Sequence, residues 1–440
     1  MATTTPLTPP DQHREPPPRL GGALWWALCA TAALGLAVFS ALGPHRVWGA
    51  AAALGYLAAA LLTARGRSPR IAGAVALAGA VPLPLLWLLA VDLAQLEARV
   101  VARSAGLLLA EGTPYLQHPV APEDFNPYLP GMAVFGLPEA LAGPGPFTDP
   151  RLWMGAAFLG ALAFALPAGD RSAPLRWIAA CPLVALPLAV GGVDLPVAGL
   201  MCLGLALAGR GRAGAAGLAL GAAAALKWTA WPAIPVALAL LAAASRSTSA
   251  GRPADGGEGR GDSRRPAVRR EGRGDSRRPA VRREGLGGSR RPADRAAARC
   301  GLVALLTAAA LVLPAALRDP GAFRAHVVDF PLGLTDAVSS AASPLPGHLL
   351  ATHVPGGRTL ALLLLGVSAL LVALSLLLRP PATASDAAAR LALGLLLAIA
   401  FMPASRFGYL VHPLVLAVWA AARQTPGHPL LVRVGKQVSR

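Results

Sequence analysis

The sequence predicts an all-α integral membrane protein, a polytopic helical bundle of about twelve transmembrane helices with an amphipathic helix in an outer loop. Three observations predict it. Of 440 residues, 55% are hydrophobic and only 14% charged, with a mean hydropathy of +0.53, where an ordinary soluble domain carries about 25% charged residues. The apolar residues come in runs near the roughly 20 needed to cross a bilayer. Arginines sit between alternate runs, as the positive-inside rule expects. The runs are built from Ala, Leu, Gly and Val, and small residues let membrane helices approach closely.

Residues 1–20 are polar and rich in proline (Pro6, Pro9, Pro10, Pro16, Pro17, Pro18) and read as a disordered cytoplasmic N-terminus. The run 21–42 is too long for a cleaved signal segment, so it reads as a retained first span. Further spans are expected at 47–64, 71–91, 150–168, 177–190, 195–208, 213–226, 229–244, 301–317, 359–378, 389–404 and 407–422. Several are short, which puts the count between ten and thirteen. The stretch 128–142 is apolar but holds Pro130, Pro138 and Glu139. A full span there would place Arg-bearing loops outside, so it reads as re-entrant or interfacial.

Charge sets the topology. With the N-terminus inside, segments 65–70, 169–176, 209–212, 245–299, 379–388 and the tail 423–440 fall inside, and each contains Arg. Asp92, Glu97, Glu111, Glu123, Asp124, Asp194, Asp319, Asp329 and Asp336 fall outside. The organisation is therefore two membrane blocks. The first, 21–244, includes the outer loop 92–149. The second, 300–422, includes the outer loop 318–358. An Arg-rich cytoplasmic loop, 245–299, joins them. It holds 16 Arg and 7 acids, so it carries +9 of the formal net charge of +18. That concentration argues against a nucleic-acid partner. Within it GRGDSRRPAVRRE at 259–271 recurs at 272–284, a tandem repeat expected to be disordered. Its RGD triplets lie on the wrong side of the membrane to act as adhesion ligands. Cys29, Cys181, Cys202 and Cys300 lie in or beside apolar runs without a CxxC pair, which supports neither disulfides nor zinc.

No acid falls within the core of an expected span. Polar chemistry gathers at the outer helix ends. Asp92 ends the third span and opens a helical, amphipathic segment, 92–112, with Leu93, Leu96 and Val100 at helical spacing. A carboxylate roofed by such a helix can act as a general base; alternatively it caps that helix. Lys227 is one of only two lysines and stands between apolar runs. It can pair with phosphate or simply snorkel to the surface. Arg406, Tyr409 and His412 lie near the turn joining the last two spans. The second outer loop carries Arg324, His326, Asp329, Asp336, His348 and His353, but no tight H-x-x-x-H spacing, which favours a solvated loop over a metal site.

Asp92, the helix after it, the Gly112-Thr113-Pro114-Tyr115 turn and the Phe125-Asn126-Pro127-Tyr128-Leu129-Pro130 block together resemble the first outer loop of glycosyltransferase family 87. These DUF2029-type, GT-C-fold membrane enzymes use polyprenyl-phosphate sugars. Their pattern is an Asp, a Tyr a few residues on, G-x-x-x-Y, then Y-P-P. Here Leu96 and Glu97 stand where the early Tyr is expected, and Leu129 separates Tyr128 from Pro130. Lys227 ahead of Pro232 also resembles the family.

The resemblance implies a hexosyltransferase, usually mannosyl, in a bacterial plasma membrane with its active site on the extracytoplasmic face. Asp92 would be the general base and Lys227 a phosphate contact; Arg406, by its place near the turn joining the last two spans, is either a second phosphate contact or a helix-end cation. Tyr115, Tyr128 and Tyr409 complete the expected substrate-binding set. The partners would be a polyprenyl-phosphate sugar donor and a lipid or glycan acceptor. No cofactor is expected, a divalent cation being the one candidate. The preference for Arg over Lys suits a GC-rich genome such as an actinobacterial one. A transporter or lipid flippase explains twelve spans equally well, but predicts intramembrane polar residues and an internal repeat between halves. The sequence shows neither. A membrane scaffold acting through the basic loop leaves the outer polar groups unexplained.

Overall fold

The computed structural model describes residues 19–167, 169, 171–250, 292–337 and 341–424. The segment 1–18, the tandem repeat 259–284 and the tail from 425 lie outside the described residues. Of the described residues 79% are helical, and no strand occurs among them.

Helices α1 (Arg19–Phe39) and α2 (Gly43–Ala64) pack as a hairpin against α3 (Pro69–Ala80) and α4 (Pro82–Ala90). Together α3 and α4 make one candidate span, interrupted at Val81. Pro84 has no N–H to offer the Ala80 carbonyl four residues back, and Trp48 Nε1 donates to that carbonyl instead, at 2.7 Å. Gly55 and Gly79 bring α2 and α3 into backbone contact; a methyl added to Gly55 would lie 2.7 Å from the Gly79 Cα.

The amphipathic helix expected after Asp92 is α5 (Leu96–Glu111), ended by Gly112 in the left-handed region. It starts at Leu96 rather than at Asp92, which changes its phase. Ala98, Val101 and Ala105 form the buried stripe with Val100 beside them, while Leu96 is exposed. The stretch 128–142 becomes a 3-10 turn, Pro130–Gly136, followed by α6 (Leu137–Ala142). The turn packs among α5, α7 (Pro150–Ala165), α11 (Ala213–Leu226) and α13 (Pro292–Arg318).

The expected span 177–190 is two helices, α8 (Ser172–Ala180) and α9 (Pro182–Val190), bent by 78°. The bend leaves the Ala180 carbonyl to accept from Tyr56 Oη at 2.7 Å. The first block closes with α10 (Asp194–Gly209), α11 and α12 (Ala233–Ala250). After α13 come α14 (Pro320–Arg324), α15 (Phe330–Leu332), α16 (Pro346–His353), α17 (Gly357–Leu378), α18 (Ala384–Phe401) and α19 (Val411–Gln424).

Among the described residues, six helices are long and apolar enough to cross a membrane, or seven if the bent pair counts as one span. They are α1, α2, α3 with α4, α13, α17 and α18. The sequence leads to an expectation of twelve, and the difference lies in shorter elements. Helices α7, α10 and α11 and the segment Trp228–Ala244 are apolar but shorter, and α19 has 14 residues. The 14 residues of α11 extend about 21 Å, short of a hydrocarbon thickness of about 30 Å. Burial compensates for this. Helix α10 lies at the centre of the bundle, against α7, α11, α12, α18 and α19, with most of its residues buried. Helix α17 is the opposite case, with 6% of its apolar window buried and its leucines on the bundle's outside.

Candidate functional site

Helices α10 and α11 run antiparallel, so the start of one lies beside the end of the other. Asp194 opens α10, and Lys227 follows the last residue of α11 in an extended conformation. Lys227 Nζ donates to Asp194 Oδ1 at 2.5 Å, with the two side chains 11% and 13% exposed. His412, wholly buried in the first turn of α19, places Nε2 3.5 Å from the same oxygen and 3.2 Å from Thr229 Oγ1. The Lys227 ammonium lies 4.4 Å from the centre of the Tyr409 ring and 5.6 Å from that of Tyr128, within cation–π range.

A second ion pair stands beside the first. Arg406 Nη1 donates to Glu97 Oε1 at 2.7 Å, joining the first turn of α5 to the segment leading into α19. The other carboxylate oxygen, Glu97 Oε2, is buried without a hydrogen-bond partner. Tyr128 responds to both pairs. Burial holds its phenol well above the ordinary range, the charges of Glu97, Tyr409 and Asp194 push it further, and Arg406 opposes them. Buried ion pairs cost much of their attraction in desolvation and are weak devices for stability. The Lys227–Asp194 pair is of this kind, and the partly exposed Arg406–Glu97 pair, a histidine and two tyrosines gather around it.

The loops 92–149 and 318–358 brace this cluster. Tyr115 Oη donates to the Tyr128 carbonyl at 2.8 Å. The Asn126 amide donates to His326 Nδ1 at 2.8 Å, which leaves the proton on Nε2, facing the Leu116 carbonyl at 2.8 Å. The Asn126 side chain accepts from the Tyr128 amide at 3.1 Å and donates to Ser104 Oγ at 2.9 Å. The Phe125–Pro130 block is thus tied to α5 and to the second outer loop.

Of the residues singled out from sequence, Lys227, Arg406, Tyr128 and Tyr409 meet in this cluster, and Tyr115 supports it from behind. Asp92 is placed differently. It is exposed, and its backbone lies at φ 48, which makes it the one non-glycine residue of positive φ among the described residues. Its carbonyl accepts from Arg99 Nη2 at 3.2 Å. It does not cap α5, whose N-cap is Gln95. Its charge is felt by Glu139, a neighbour of the Asp149–Arg151 ion pair.

In the second outer loop His326 has both nitrogens engaged, and Arg324 pairs with Asp329 at 3.3 Å. Among the described residues no three His, Cys, Asp or Glu side chains converge as a metal site. Glu97 and Asp194 are the members of the cluster that sequence reasoning did not single out. The available signal was positional: Asp194 begins one apolar run and Lys227 ends the next. No family model, curated protein sequence or solved structure matches this chain significantly.

Proposed function

We propose that the chain is a membrane glycosyltransferase that moves a hexose, mannose by resemblance, from a polyprenyl-phosphate donor to a lipid or glycan acceptor on the extracytoplasmic face. The observation that carries this reading is the position of Lys227 and Arg406, both paired to carboxylates at the loop-bearing end of short, buried helices. The 14 residues of α11 rise about 21 Å, so with Arg212 at one surface of a bilayer about 30 Å thick Lys227 would lie short of the other. A lipid-borne phosphate reaches that depth. Lys227 offers it a compact charge and Arg406 a planar fork.

In the transfer step the acceptor hydroxyl attacks the anomeric carbon and gives up its proton to a carboxylate. The bond from that carbon to the phosphate oxygen breaks, and polyprenyl phosphate leaves with its charge balanced by the two cations. The resemblance gives the proton to Asp92. Its left-handed backbone supports that role, since such strain gathers at functional positions. Glu97 is the competing carboxylate, because its Oε2 is buried and unpaired.

A transporter or lipid flippase is the second reading, favoured by the same Asp194–Lys227 pair, because charged groups inside a membrane mark transport paths. Hexose transfer from purified polyprenyl-phosphate donors separates the two. Wild-type protein should transfer, and Asp92→Asn should transfer about 100- to 10,000-fold more slowly. Near-normal transfer by Asp92→Asn with loss in Glu97→Gln would move the base to Glu97. No transfer by wild type from any such donor would end the enzyme reading in favour of transport.

A further inference from the structure

The charges of the Lys227 cluster cancel. Lys227 and Arg406 are its cations, and Asp194 and Glu97 pair with them one to one. An anion placed on Lys227 therefore brings a negative charge to a site with no surplus cation to meet it. An uncompensated charge withdrawn from water is costly. His412 can supply the missing charge by taking up a proton. It is wholly buried in the first turn of α19, beside the Asp194–Lys227 pair.

The hydrogen bonds of His412 fix which nitrogen is available. Nδ1 lies 3.1 Å from the Tyr409 carbonyl, which can only accept, so Nδ1 carries the proton of the neutral ring. Nε2 then accepts from Thr229 Oγ1 at 3.2 Å. It also stands 3.5 Å from Asp194 Oδ1, the oxygen that Lys227 holds. A proton added at Nε2 would lie between the imidazole and that carboxylate. The groups facing His412 come from several elements. Helix α10 brings Asp194, the end of α11 brings Lys227, and the turn before α19 brings Tyr409. Helix α18 carries its charged residues, Asp386 and Arg390, in its first two turns, at the end away from His412. Helix α9 carries none, and Arg176, the charged residue of α8, lines a separate pocket with Arg70 and Trp26. The phenols of Tyr128 and Tyr409 can only lose protons, so neither can supply a positive charge.

We propose that a phosphate binds at Lys227 together with one proton, taken from solvent onto His412 Nε2. The ring nitrogen accepts the proton through its lone pair, and no other covalent bond changes. The imidazolium then pairs with Asp194 while the phosphate shares Lys227, so one negative and one positive charge enter the cluster together. The proposal rests on the reading above that a lipid-borne phosphate occupies Lys227, and it holds for transfer and for transport alike. The bound state carries more protons than the free one, so affinity rises as pH falls, by up to about tenfold per unit.

The probe is a polyprenyl-phosphate hexose, a phosphodiester whose single charge stays constant around neutral pH, unlike a phosphate monoester, which titrates near about pH 6. Titration calorimetry on the full chain in detergent, repeated in two buffers of different ionisation heat, counts the protons taken up and gives the affinity at each pH. Wild type should take up close to one proton per phosphodiester, and its affinity should fall by up to about tenfold per unit as pH rises. His412→Gln keeps a donor toward Asp194 but cannot titrate, so its heat should not depend on the buffer and its pH profile should be flat. Asp194→Asn leaves one surplus cation and should bind without proton uptake. The wild-type proton count needs no variant, so the proposal stays testable if either substitution impairs folding. Buffer-independent heat in wild type, or undiminished proton uptake in folded His412→Gln, would overturn the proposal and leave the transferase reading in place. No binding at any pH would overturn both. Proton-linked binding in a protein that transfers no sugar would uphold the proposal and defeat the transferase reading.

Discussion

Lys227 and Asp194 stand 33 positions apart in sequence, yet Lys227 Nζ donates to Asp194 Oδ1 at 2.5 Å with both side chains largely withdrawn from solvent. The contact follows from two consecutive apolar helices folded back on each other through the turn that holds Arg210 and Arg212. It places a cation at the bundle's loop-bearing end, where Tyr128, Tyr409 and His412 surround it.

Breaking such a pair leaves one buried charge without its partner, at a cost of about 3–5 kcal/mol, while replacing both members by apolar residues is near neutral. Lys227→Met should therefore lower the thermal midpoint in detergent sharply. The double variant Asp194→Leu/Lys227→Met should recover most of that loss while remaining without transfer activity. Additive losses in the double variant would show that the pair is not coupled as described.

The His326 clamp predicts a pH response. Burial holds the imidazole below its ordinary range; Arg103 also disfavours the charged form, while the Leu116 hydrogen bond, Asp124 and Asp319 oppose them. Protonation of Nδ1 would set a donor against the Asn126 amide. A group with a depressed folded value contributes stability above its unfolded value of about 6.5, and that contribution is lost as pH falls through the folded value. Thermal midpoints between pH 7.5 and 5 should fall in wild type and stay flatter in His326→Phe, which should start lower. Parallel profiles would contradict the clamp.

Asp92 predicts a conflict between stability and activity. A non-glycine residue at φ 48 carries local strain of about 1–3 kcal/mol. Asp92→Gly should recover up to about 1 kcal/mol of stability, the rest being offset by the greater entropy of the unfolded chain. The same change should remove hexose transfer if Asp92 is the base. A less stable Asp92→Gly protein would show that the position is not strained.

Orientation is tested with single cysteines in a variant lacking the four native ones. Val120 and Arg67 are both exposed, at opposite ends of the bundle as the sequence orients it. A membrane-impermeant thiol reagent applied to intact cells should label Val120→Cys and spare Arg67→Cys. The reverse pattern would invert the topology and remove the extracytoplasmic site.

Much of the helical content is legible in the sequence because apolar runs and flanking arginines act locally. The expected spans at 21–42, 47–64 and 359–378 correspond closely to α1, α2 and α17. Helix count is less legible, because hydropathy does not separate a helix that crosses lipid from a shorter one buried in protein. Helix α10 reads like a span and is enclosed by five other helices. In the site, Lys227 stands out by its rarity and Arg406 by its place before the last helix. Glu97 does not, because its partner is 309 positions away and only the docking of α5 brings them together. The phase of α5 was obscured for a related reason: Asp92 lies in a strained turn, so the helical period begins at Leu96.

The most direct measurement is photocrosslinking of a diazirine-bearing polyprenyl phosphate to the membrane-embedded protein, with the sites mapped by peptide mass spectrometry. The account predicts labelling around Trp228 and Tyr409, next to Lys227 and Arg406. Excess polyprenyl phosphate should compete for it, and dephosphorylated polyprenol should not. Equal competition by polyprenol, or labelling confined to the opposite end near Arg65 and Arg176, would contradict a lipid-phosphate site at this cluster.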